Sequence, residues 1–153
     1  EIMLKNLIFA GLLILAFQSI SVFAQDKTII NNQSAKKMLL GKHRFSLQWI
    51  SWDYFGTATV TDKKGVLYLK GEQKGRDRDD YLTIDGVVTQ IDEKEFKFNG
   101  KIVTKVSHIN EGKLCPREGE MTFAITKNRL YWRLRDMQNP CDDLLDYVDI
   151  FFR

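Results

Sequence analysis

Few side chains in this sequence combine a reactive type with a spacing that names a reaction. The histidines are His43 and His108, far apart in the chain and outside any HExxH pattern. Imidazole is a common acid–base group and metal ligand near neutral pH. A lone His makes a poor metal site, so neither a metal nor a cofactor is expected. Asp77, Asp79 and Asp80 form one acidic cluster, and Asp142, Asp143 and Asp146 another. Calcium favours such oxygens, but the central Gly and distant Glu of an EF-hand loop are missing. Both clusters read as solvated loop charge, the first interleaved with Arg76 and Arg78. No GxSxG, Walker or GxGxxG motif occurs. A non-enzyme is therefore expected. A pair of glycosidase carboxylates would show itself only in three dimensions.

Recognition residues are better represented. Trp49 to Phe55 is the densest aromatic stretch, and Trp52, Tyr54 and Phe55 fall in or beside a loop. Exposed aromatics with polar handles are common binding residues. Their alternative role is to fold back and cap a core. His108 opens the longest loop. Trp52, Tyr54, Phe55 and His108 are the candidate ligand-binding residues. Arg133 and Arg135 share one strand face with Tyr131, while Trp132 and Leu134 share the other. The apolar face is the inward candidate, which puts the arginines outside.

The elements that must position these residues follow from hydrophobic period. A short helix is expected over Ser34 to Leu40, stopped by Gly41. Beyond Gly41 the period is two, and eight segments rich in β-branched and aromatic residues follow, centred on residues 45–50, 57–61, 66–70, 81–91, 95–107, 121–126, 130–135 and 147–152. No helical period separates them, so the connections favour antiparallel neighbours. Gly86 and Gly100 read as bends within two long strands rather than hairpin turns. Tight turns alternate with long loops, so an up-and-down order gathers all long loops at one rim. Cys115 and Cys141 fall in two of those loops, which suits a disulfide on that rim. The expected architecture is an all-β, eight-stranded antiparallel up-and-down barrel. Its interior would be just wide enough for side chains or one small ligand.

The N-terminus bears on compartment. Lys5 precedes an apolar run from Leu7 to Phe17, and Val22 and Ala24 supply a small-residue exit. These are the parts of a secretory signal peptide over residues 1–24. The run is too short to span a bilayer. Residues 25–41 would be a loose leader ending in the short helix, and residues 42–153 the barrel. An exported location, periplasmic or secreted, suits the expected disulfide. The chain is 44% hydrophobic and 28% charged with a net charge of +3, acids and bases interleaved. No nucleic-acid partner is called for.

From Gly41 to Phe152 the strand count and order are similar to small lipocalin-like barrels in architecture only. The Gly-x-Trp that opens the first lipocalin strand is replaced by Gly41-Lys42-His43, so no residue role is carried over. The expected function is a non-enzymatic binding protein that holds a small or extended ligand at the long-loop rim. The alternative is a protein-binding module, such as an inhibitor of an extracellular enzyme.

Overall fold

A computed structural model of the chain describes residues 25–77 and 79–153. The signal peptide expected over residues 1–24 lies outside the described residues.

The described residues open with strand β1 (Ile29–Ile30) and helix α1 (Gln33–Leu39). Asn32 caps the helix by accepting a hydrogen bond from the Ala35 amide at 2.8 Å. Eight strands follow: β2 (Gly41–Leu47), β3 (Gly56–Lys63), β4 (Val66–Lys74), β5 (Tyr81–Ile91), β6 (Glu95–Lys105), β7 (Cys115–Ala124), β8 (Tyr131–Leu134) and β9 (Val148–Phe151). Each pairs antiparallel with the next, and β9 closes on β2 through Phe45 and Ile150. The expected eight-stranded up-and-down barrel is the fold. Loops 48–55, 75–80, 106–114 and 135–147 meet at one end, and the tight turns lie at the other.

Three local features differ from, or sharpen, the sequence reading. The segment before α1 is not loose: β1 adds to β5 in parallel, and the buried Thr28 hydroxyl donates to Val88 O at 2.6 Å and accepts from Leu67 N at 2.9 Å. Strand β7 begins at Cys115, six residues before its apolar pattern does. The long ladder with β6 supplies the backbone partners there, so Pro116 to Glu120 extend without alternating side chains. Gly86 and Gly100 are bends, as their position implied. They pair directly across β5 and β6, and a Cβ on Gly86 would meet Asn99 O at 2.4 Å and the Phe98 ring at 2.8 Å. Phe98 fills the space that two missing side chains leave.

Apolar side chains occupy the barrel interior. Phe45, Leu47, Leu69, Leu82, Ile84, Phe98, Ile102, Phe123 and Leu134 are all buried there. Phe96 stacks on Phe123 with ring centroids 5.2 Å apart and meets Trp132 edge-on at 5.9 Å. At the tight-turn end α1 inserts Ala35 and Leu39 into the same core and plugs the barrel. His43 holds the plug: Nε2 lies 2.7 Å from Leu39 O and Nδ1 lies 2.8 Å from Phe151 O. Both partners are acceptors, so a neutral ring donates to one carbonyl and an imidazolium to both. Trp132 and Leu134 point inward and Arg133 outward, as their alternation implied.

Candidate functional site

The four long loops gather at the rim, where the sequence placed the candidate binding residues. The barrel is weakest there along one seam. β7 and β8 share only the pairs Phe123–Leu134 and Ala124–Arg133, so most of β7 has no ladder partner on that side. Loop 135–147 covers the gap. Cys115 and Cys141 form a disulfide with Cα atoms 6.0 Å apart, pinning this loop to the start of β7. Beside it the Arg117 Nη2 donates to Asp146 Oδ2 at 2.8 Å, an ion pair with side chains 9% and 1% exposed. Asn139 Nδ2 donates to the same oxygen at 3.0 Å, and Trp49 Nε1 to Asp146 Oδ1 at 3.2 Å.

The four rim loops are in fact tied into a closed ring. Loop 48–55 joins loop 75–80 through the Arg76 amide, which donates to the Tyr54 hydroxyl at 3.0 Å, and through the Arg76 guanidinium, 4.1 Å from the centre of the Tyr54 ring. Loop 75–80 joins loop 106–114 through Asp80, which accepts from Ser107 N at 2.8 Å and from Ser107 Oγ at 3.3 Å. Loop 106–114 joins loop 135–147 through the Asn110 amide, which donates to Asp142 at 2.9 Å. That bond and the amide of Asp143 hold the Asp142 carboxyl below its ordinary range. The ring closes where Gln48 Nε2 donates to Leu145 O and Tyr147 N donates to Gln48 Oε1, both at 2.7 Å. Under it, the fully buried Gln73 bonds Leu47 N and Tyr54 O, a polar floor over the apolar core.

Between three of these loops lies a depression of about 250 Å³, lined by Trp49, Ile50, Tyr54, Gly75, Arg76, Asp77, Asp80 and His108. His108 meets Trp49 edge-on at 6.3 Å. A second, wider depression of about 610 Å³ lies on the other side of loop 75–80 and shares Gly75 and Asp80 with it. Lys74, Tyr81, Lys105 and the exposed Leu114 contribute to its lining.

Of the candidate binding residues, Tyr54 and His108 come together in the smaller depression. Trp52 stands out from loop 48–55, 61% exposed, and lines neither. Phe55 turns to the outer barrel wall, where it packs on Phe151 at 5.1 Å beneath Arg44. The acidic clusters are used structurally in part: Asp80 and Asp146 are buried and bonded, and no group of three or more His, Cys, Asp or Glu among the described residues is arranged to hold a metal ion. The lining roles of Arg76 and Asp80 have no local signature, because each is set by a partner more than twenty residues away.

A family model, the PM1083 family, matches residues 27–152. The chain belongs to the PM1083 family. It is 43% identical over 149 residues to an uncharacterized protein of Pasteurella multocida (strain Pm70), covering 97% of this chain and 96% of that one. The family match therefore takes in the whole barrel together with β1 and the plug helix. No solved structure matches the chain.

Proposed function

We propose that this protein is an exported binding protein that holds its ligand on the outside of the rim loops, across the two depressions that flank loop 75–80. The observation that carries this reading is the closed ring of contacts around the smaller depression. A site braced by Tyr54–Arg76, Asp80–Ser107, Asn110–Asp142 and the disulfide is already ordered before a ligand arrives. Binding there costs little further ordering of loops. The lining offers aromatic faces from Trp49 and Tyr54, a cation from Arg76 and carboxylates from Asp77 and Asp80. That mixture suits a polar ligand with a ring or an apolar face. The smaller depression takes one such unit, and the wider one beside it suits a ligand that continues along the rim. Export rests on the signal-peptide pattern of residues 1–24 and agrees with the disulfide. Among the described residues no helix is long and apolar enough to cross a membrane.

A panel of oligosaccharides, peptides and small acids, read by thermal shift and then calorimetry, tests this. A ligand of this site loses at least about tenfold in affinity when His108→Ala or Arg76→Ala is introduced, the scale of one charged or aromatic contact. A bound ligand indifferent to both substitutions would place the site elsewhere. A second reading, a protein-binding inhibitor, is favoured by the apolar side chains that occupy the interior and by Trp52, exposed on a loop that the Ser51 hydroxyl braces through the Asp53 and Tyr54 amides. There the decisive variant is Trp52→Ala, which would abolish capture of a folded partner and leave small-ligand binding intact.

A further inference from the structure

The outer wall of β8 carries a second feature, whose lining shares no residue with the two rim depressions. Its outward face runs Arg129, Tyr131, Arg133, Arg135 from the turn into the strand and just beyond. Arg129, Arg133 and Arg135 line one depression of about 220 Å³, together with Thr126, Met137 and Tyr147. Surface arginines ordinarily fan apart. Here the middle one is locked. Its Nε and Nη2 donate to the two oxygens of Asp149, each at 2.7 Å, and Asp149 is buried. The same guanidinium lies 4.0 Å from the Tyr147 ring centre and 5.1 Å from that of Tyr131. That leaves its Nη1 without a protein acceptor among the described residues. Arg129 stacks on Tyr131 at 5.6 Å and makes no ion pair among the described residues. Arg135 reaches Glu95 at 2.7 Å while remaining well exposed. Three guanidinium groups thus face one small space with two carboxylates between them, leaving one positive charge in excess.

We propose that this depression is a separate ligand site for a small oxyanion, a carboxylate or phosphate group, seated among Arg129, Arg133 and Arg135. Planar guanidinium groups with free N–H donors match such groups in geometry and charge. Arg133 would lose little freedom on binding, since Asp149 and two tyrosine rings already fix it. The open side of the depression, with Met137 and Tyr147, leaves room for the apolar or ring portion that carries the anion.

The test is an NMR titration of the arginine Nε–H signals of the purified chain, with inorganic phosphate and with acetate, each against chloride at equal ionic strength. The expected result is a saturable shift at Arg129 and Arg133 with one or both oxyanions, and the stronger of the two identifies the class. Arg129→Gln should weaken that binding at least about tenfold, the range of one charge-assisted hydrogen bond. Arg129 is exposed and makes no ion pair among the described residues, so this variant keeps the fold; Arg135→Gln serves as an independent second variant. His108→Ala, on the rim, should leave the titration unchanged. Shifts no larger than those with chloride, or a titration unaltered by both arginine variants, would overturn the proposal.

Discussion

Removing the Cys115–Cys141 bond should cost about 3.5 kcal/mol of stability, and the damage should begin at the rim. The bridge closes a loop with a sequence separation of 26 residues. Loop-closure entropy for a ring of that size gives roughly 3.5 kcal/mol at 25 °C, stabilising by restricting the unfolded chain. Locality follows from the seam. β7 and β8 share two register pairs, whereas β5 and β6 share ten. Without the sulfur bridge, loop 135–147 is held to β7 chiefly by the buried Arg117–Asp146 pair. The assay is urea unfolding of the oxidised protein against Cys115→Ala/Cys141→Ala, with amide exchange followed by NMR. The amides of Asn139 and Asp146, which bond Leu144 O and Met137 O, should exchange early, while the β4–β5–β6 ladders keep their protection. A loss under about 1 kcal/mol, or exchange that quickens evenly through the barrel, would refute the reasoning.

Two further outcomes are expected. Gly100→Ala should destabilise by about 2–3 kcal/mol, because its Cβ would meet Asp85 O at 2.3 Å and the Phe98 ring at 2.6 Å, and backbone cannot yield cheaply; a thermal melt within 1 °C of wild type would show that the sheet relaxes freely. Acid should release the N-terminal strap, β1 together with α1, before the barrel. The Asp62 carboxyl is held below its ordinary range first by Lys36, and that of Asp92 first by Asn31. Both groups favour folding above the unfolded carboxylate value, near pH 4, and that contribution fades as pH falls through their folded values. Pepsin should then cut near Met38 to Leu40 below about pH 4 while the barrel stays whole; a strap still resistant at about pH 2.5 would count against it.

What could be read from the chain alone was what its periodicity encodes. Alternation such as Phe45, Leu47 on β2 and Trp132, Leu134 on β8 marks strands with one buried face, and the absence of a helical period between strands leaves antiparallel meander as the simple order. Alternating tight and long connections then place four loops, and both cysteines, at one end. The internal glycines were legible as bends because the arms flanking them are too short for good hairpins and a Gly kink lets a sheet curl. The N-terminal extent of β7 was not legible, because Pro116 to Glu120 owe their conformation to the ladder with β6 rather than to their own side chains. Nor was the occupancy of the interior, which depends on how Phe96, Phe98, Phe123 and Trp132 interlock from three different strands. The same holds for the rim. Tyr54 and His108 were recognisable by type, but Arg76, Asp80 and the arginines outside β8 acquire meaning only from partners distant in sequence. Local pattern is a property of neighbours along the chain, and so it survives in the sequence; a site is a property of neighbours across it, and only closure of the barrel brings those together.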